Sequence, residues 1–294
     1  MNFDNFADYI CDNILEGWMD EASAEIQKTE KNNGVMLTGI VIRDQNNRMT
    51  PAIYLEDYYD RYLKGDSMSD IMSEIRKQYD WCIQRIRSLN IDITDYSTVK
   101  DLLIYRLVNY ERNEEMIKRC PHIRMDDLAL TFRWLAHRDS VGISTALVTN
   151  QELELWDVKM QDILLDAKKN TERIFPGKVM MMGDLLKKVL IEVPDIDESM
   201  PMYIITNEQQ INGATVLLYD HFLHDFAEDN PGNYYILPSS IHEVILVPAD
   251  KIEYPEELKD IVRHANNTVV MDTEFLSDSV YYYDSSLDSI TRIA

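Results

Sequence analysis

Positive charge is what this sequence has least of: 29 Lys and Arg stand against 52 Asp and Glu in 294 residues, a formal net charge of −23. A nucleic-acid binder needs a basic face to neutralise phosphates and release counterions, so direct binding of DNA or RNA is not expected. The same repulsion disfavours anionic membranes, and no apolar run approaches the roughly 18 residues that a membrane span needs. The nearest approach to a basic patch is Arg76-Lys77 with Arg85-Ile86-Arg87. Glu74 and Asp80 are interleaved there, and the stretch reads as a mixed solvated helix face. Cysteine is scarce and scattered: Cys11, Cys82 and Cys120 are odd in number and never in a CxxC pair. That points to a reducing compartment and away from a zinc site. Glycine is scarce as well, with nine residues and neither GxGxxG nor GxxxxGK[ST], so the chain lacks the usual phosphate cradle of nucleotide enzymes. The opening MNFDNFADYI lacks the basic stretch and apolar block of a signal peptide. The expectation is a cytoplasmic protein with no cofactor, whose partner is another protein.

What is present suits a folded globular chain: 45% hydrophobic and 28% charged residues, long enough to bury a core without staples. The acidic excess is a solubilising coat in the plain reading. In the sharper one it imitates nucleic acid or docks on a basic partner.

Periodicity gives an α+β fold with mixed or antiparallel sheets and packed helices, divided as an N-terminal region 1–140 and a C-terminal region 141–294. Spacings of three and four at Phe3, Phe6, Ile10, Ile14 and Trp18 predict helix over residues 1–30. Asn32-Asn33-Gly34 marks a turn into a strand, and Ser67 to Asp70 caps a helix running to about residue 89. Further on, strands are expected near 202–206, 214–219, 233–237 and 242–247, with a helix over 220–229. The stretch from Asn233 to Pro248 reads as one strand broken near Pro238, or two with a bulge. A terminal hairpin is expected in VYYYDSSLDSITRI, and residues 186–200 have the look of an insertion or linker. A faint echo links Asn33-Gly34 to Asn212-Gly213, and LVTN at 147–150 to IITN at 204–207. Two similar strand–strand–helix units would account for it, and so would chance similarity of turn chemistry.

The segments PMYIITNEQQINGATVLLY, YYILPSSIHEVILVP and LSDSVYYYD resemble an uncharacterised bacterial family, domain of unknown function 5688 (DUF5688). KNNGVMLTGIVIRDQNNRMTPAIYLEDYYDRYLKG and MDDLALTFRW resemble its N-terminal region, so the resemblance spans nearly the whole chain. It implies a bacterial protein, often carried on mobile elements, and supplies no reaction, cofactor or catalytic residue.

Three groups of residues bear on chemistry. Ser240, His242 and Glu243 combine a hydroxyl, an imidazole and a carboxylate, as nucleophilic catalysis requires. On a strand, Ser240 and His242 would be separated by about 6.6 Å of rise, beyond the ~2.6–3.2 Å of a nucleophile–base bond, with Glu243 on the opposite face. Asn207, Asn212, Gly213 and Ser239 are the candidate ligand- or partner-binding positions around them. His221, His224 and Asp225 share neighbouring helix faces and form the candidate metal group, though they lack HExxH spacing and a fourth ligand. The reading that follows is a non-enzymatic protein that binds another macromolecule. Its rivals are a hydrolase with a site near Ser240 and His242, and an acidic mimic that blocks a DNA- or RNA-binding protein.

Overall fold

The computed structural model describes residues 1–19, 21–44, 50–88, 91–138, 142–189 and 201–293. The chain forms two compact units, Met1–Ile91 and Asp92–Ala294. The division expected at 140/141 lies outside the described residues, between two strands that pair with each other.

In the N-terminal unit, α1 (Phe3–Asn13) starts where the Asn2 side chain accepts the Asn5 N–H at 2.9 Å, and it buries Phe6, Ala7 and Ile10. The helix expected to continue to residue 30 ends there. Gly17 takes a left-handed φ of 66°, and the next segment is a strand, β1 (Ser23–Glu30). β1 pairs antiparallel with β2 (Met36–Arg43), Ser23 opposite Arg43. At the turn, Asn33 (φ 62°) and Gly34 (φ 70°) tolerate the positive φ that the Asn-Asn-Gly signal requires. β3 (Ala52–Tyr54) completes the sheet, followed by α2 (Glu56–Leu63) and α3 (Met68–Ser88). Ser67 Oγ accepts the Asp70 N–H at 3.1 Å, the cap expected from the sequence. Ile40, Ile42 and Ile53 from the sheet pack with Phe6, Ile10, Ile71, Ile75 and Tyr79. Each such fully buried aliphatic or aromatic side chain contributes about 1.5–3 kcal/mol. Part of the supposed basic patch is consumed here: Arg76 donates to the carbonyls of Ile14 (2.9 Å) and Glu16 (3.0 Å), past the end of α1, and Arg85 lies 3.2 Å over the Trp81 ring.

The C-terminal unit opens with α4 (Tyr96–Val99), β4 (Leu103–Asn109), α5 (Glu114–Ile117), β5 (His122–Met125) and β6 (Leu128–Arg138). β7 (Ile143–Leu147) shares an edge of β6 with β5, opposite β4, and all pairs are antiparallel. Thr149 and Glu152 form a reciprocal capping box at the start of α6 (Asn150–Trp156), and α7 (Met160–Ile174) packs on β4. There follow β8 (Gly177–Met181), α8 (Met182–Val189), β9 (Tyr203–Asn207), α9 (Phe222–Asp229), β10 (Tyr234–Leu237), β11 (Val244–Pro248), α10 (Glu257–Thr268), β12 (Tyr281–Asp284) and β13 (Ser289–Arg292). The second sheet runs β13-β12-β10-β11-β9-β8, again antiparallel throughout.

Two expectations need correction. Residues 214–219 are not a strand: Gly213–Leu218 is a 3-10 helix. It follows Asn212 in the left-handed region (φ 53°), and the Thr215 hydroxyl donates back to the Asn212 carbonyl at 2.8 Å. Its apolar run reflects burial rather than strand pairing. Asn33-Gly34 therefore leads into a strand and Asn212-Gly213 into a helix, so the echo is one of turn chemistry. Secondly, Asn233 to Pro248 holds the two strands expected near 233–237 and 242–247, but no bulge joins them. They form a hairpin, β10 against β11, and 238–243 are its connection. The insertion expected over 186–200 falls largely outside the described residues.

Burial raises the hydroxyls of Tyr105, Tyr219 and Tyr281 above the ordinary tyrosine value of 10, with the hydrogen bond to Asp127 adding to the rise at Tyr281. Below pH 10 both folded and unfolded chains keep these protons, and stability is full. Above pH 10 the unfolded chain ionises first, so stability should fall with rising pH. A urea midpoint that stays flat from pH 8 to pH 11 would contradict this.

Candidate functional site

Of the residues singled out in the sequence, Asn207, Asn212, Gly213, Ser240 and His242 are brought together in the C-terminal unit, knitted through the backbone. Asn207 ends β9, and its Oδ1 accepts the N–H groups of Gln209 (3.1 Å) and Ile211 (3.2 Å), closing a tight loop. The loop delivers Asn212, whose N–H donates to Nδ1 of His242 at 3.1 Å. The other ring nitrogen, Nε2, lies 3.5 Å from Oε1 of Glu274. Thr206 Oγ1 donates to the His242 carbonyl at 2.7 Å, and Gly213 packs in the same corner.

Ser240 joins this junction through backbone. Its Oγ accepts the His242 N–H at 3.0 Å, while the imidazole is held by Asn212 and faces Glu274. Ser239 contributes its carbonyl to the Leu276 N–H, and Ser240 bridges Phe275. Burial pushes the Glu243 carboxyl above its ordinary range. His242 and Ser240 pull it down, and Glu274 adds to the rise. The segment connects two strands, so the spacing expected for a continuous strand does not apply.

His221 takes a left-handed φ of 60° ahead of α9, its ring 6.4 Å from that of His224. Among the described residues, a group whose ligand atoms lie within 4.8 Å of one another is His224, Asp225 and Glu228, with Glu228 in place of His221. Asp225 and Glu228 are exposed, as solvated helix carboxylates commonly are.

On the other flank of residues 274–279 is a feature that sequence reasoning missed. Asp126, at φ 54°, turns β5 into β6 and is followed by Asp127. Three hydroxyls donate to the Asp127 carboxylate: Ser277 at 2.6 Å, Ser279 at 2.9 Å and Tyr281 through a short bond. They come from alternate residues of one segment that bends at Asp278, where the Ser279 N–H donates to Ser277 Oγ at 2.8 Å. Asn109, at the end of β4, ties the same segment down by donating to the Leu276 carbonyl at 3.0 Å. MDDLALTFRW and LSDSVYYYD, both quoted for the family resemblance, thus meet at one carboxylate.

Asp127 and Ser279 line a cavity of about 260 Å³. Four cations converge on it: Arg112, Lys259, Arg263 and Arg292. α10 supplies two of them because Leu258 and Val262 seat it against Leu237, Val247 and Val280. Lys259, Arg263 and Asn266 then share one helix face by their spacing of four and three. Asn266 donates to the Ser277 carbonyl (2.9 Å) and to Asp278 (2.7 Å), holding that face against the segment. Arg112 lies 3.6 Å over the Phe275 ring and 3.8 Å from Asp272. Arg292 is opposite Tyr281 in the β12–β13 register. Glu111, Asp127 and Asp278 are the acidic groups of the lining. Among the described residues, Lys259, Arg263 and Arg292 have no carboxylate oxygen within 4.0 Å. The alternating Ser-x-Ser-x-Tyr was the available signal, but its partner is 150 residues upstream of Ser277.

No helix among the described residues is long and apolar enough to cross a membrane. A family model described as a family of unknown function, DUF5688, matches residues 3–285. No curated protein matches the chain, and no solved structure does.

Proposed function

We propose that this chain, which belongs to the family of unknown function DUF5688, is a binding protein that takes an anionic group of its ligand into the cation-lined hollow. One observation carries the reading. In a chain with a net charge of −23, four cations converge on one cavity, and three of them lack a carboxylate partner among the described residues. Glu111, Asp127 and Asp278 in the same lining offset part of the repulsion among the four cations, and an anion between the three that lack such a partner would offset more. A protein partner, the class expected from the sequence, would present that anion on a side chain.

The test is thermal unfolding in citrate and phosphate, against chloride at equal ionic strength. Excluded salts stabilise proteins in general, so the Lys259→Ala/Arg263→Ala variant is the necessary comparison. The polyvalent anions should raise Tm of the unaltered chain and not of the variant. Stabilisation approaches about 2.7 kcal/mol at a hundredfold excess over Kd. Equal shifts in both proteins would refute the reading.

A further inference from the structure

We infer that the hollow is built for a phosphate monoester, an inference that rests on the anion-binding reading above. The cations without a carboxylate partner among the described residues come from two separate elements: Lys259 and Arg263 from α10, and Arg292 from β13. Arg112 adds a fourth from the turn after β4, its guanidinium stacked on Phe275. A phosphate monoester offers three strongly accepting terminal oxygens, one for each unpartnered cation. A carboxylate offers two, in one plane, and a single arginine fork satisfies both. The carboxylate matched to this site would leave unpartnered cations behind.

The volume limits what the hollow encloses. The cavity of about 260 Å³ lies below the ~300–1,000 Å³ of sites that enclose drug-sized ligands. It encloses the phosphate and the atoms next to it, and because the hollow opens to solvent the rest of the ligand lies outside. Asp127 stands at the wall with both oxygens already accepting hydroxyls, so it fixes Ser279 and Tyr281 rather than competing for the cations by direct contact.

The ligand also supplies a pH signature. Its second ionisation lies near pH 6. The charged groups facing the hollow are Glu111 and Arg112 from the turn after β4, Asp127 from the β5–β6 turn, Lys259 and Arg263 from α10, Asp278 from the segment before β12, and Arg292 from β13. Tyr281, beside Asp127, is the further titratable group. No histidine lines the site, so a change in affinity across pH 6 reports the ligand's own proton.

The experiment is calorimetric titration of the full chain with glycerol phosphate and with glutarate, at pH 5.5 and 7.5 and constant ionic strength. Glycerol phosphate should bind at least tenfold tighter than glutarate at pH 7.5. It should weaken about fourfold at pH 5.5, the fall in its dianion fraction for a second pKa near 6. The Lys259→Ala/Arg263→Ala variant should lose at least tenfold. Arg292→Ala, at an exposed position, gives the same reading if the double variant does not fold. Glutarate binding as tightly as glycerol phosphate, or phosphate binding that ignores pH, overturns the phosphate assignment and leaves the anion-binding reading standing. Failure of every anion, with variants indistinguishable from the parent, overturns both. A phosphoserine peptide distinguishes the source: tighter binding than glycerol phosphate assigns a phosphorylated protein, and weaker binding assigns a small phosphorylated metabolite.

Discussion

Gly213→Ala should destabilise the C-terminal unit by about 3 kcal/mol or more, the upper end of what overpacking a tight site costs. A Cβ at position 213 would fall well inside van der Waals distance of Thr206 Oγ1 and the His242 carbonyl, and 2.8 Å from the Asn207 nitrogen. Two of these are backbone atoms, and the third belongs to a hydroxyl already bonded to that carbonyl. None can swing aside as a flexible side-chain end would. Separating Thr206 from His242 also forfeits a hydrogen bond of about 0.5–1.5 kcal/mol. For a unit of this size, 3 kcal/mol corresponds to a fall in Tm of roughly 6–12 °C. Gly142→Ala is the control: nothing lies within 4 Å of its added Cβ, and its effect should stay within about 0.5 kcal/mol. Equal melting temperatures for the two variants would mean that the junction does not hold the unit together.

That junction explains why the Ser-Ile-His-Glu run was conspicuous and yet hard to interpret. The sequence displays residue types, and Ser240, His242 and Glu243 are the types that catalysis uses. Their partners, Asn212 and Glu274, are set by a left-handed turn 30 residues upstream and a loop 32 residues downstream. Local signals were legible where one turn of chain decides the outcome: the Ser67 cap, the Thr149–Glu152 box, the Asn33-Gly34 turn and the terminal hairpin. They were misleading where burial and secondary structure part company. Val216 is fully buried on a 3-10 helix and reads as strand. Ile14 is fully buried, and Trp18 packs on the same core, just past the end of α1, so the helical periodicity outlasts the helix.

Net charge misleads in a similar way. A total of −23 argues against nucleic acid as a ligand, because a long polyanion engages the average field of a surface. It has less bearing on a small hollow, where the nearest charges, four cations and three carboxylates, set the potential. The acidic excess and the hollow are therefore compatible, and under the proposed reading they would disfavour extended polyanions and admit a small anionic group.

Asp127→Ala should be the most damaging change at the hollow, because one carboxylate satisfies three buried hydroxyls. Ser277 is fully buried, and Ser279 and Tyr281 nearly so. With the alanine in place, all three donors lose their acceptor. At about 1–3 kcal/mol for each buried donor left unpaired, the loss is roughly 3–6 kcal/mol after partial rescue by water. Asp127→Asn separates charge from hydrogen bonding. Its carbonyl still accepts, and its amide can donate to a rotated serine hydroxyl, so the cost should be no more than about 2 kcal/mol. The same substitution removes a negative charge from the wall beside Lys259, Arg263 and Arg292. Stability and affinity should then move in opposite directions: Asp127→Asn melts lower than the parent and binds an anion more tightly. Urea unfolding and anion titration of the parent and both variants check this pair of outcomes. An Asp127→Ala protein as stable as the parent would dismiss the carboxylate as the organiser of the segment, and an Asp127→Asn protein with weakened anion binding would dismiss the hollow as an electrostatic site.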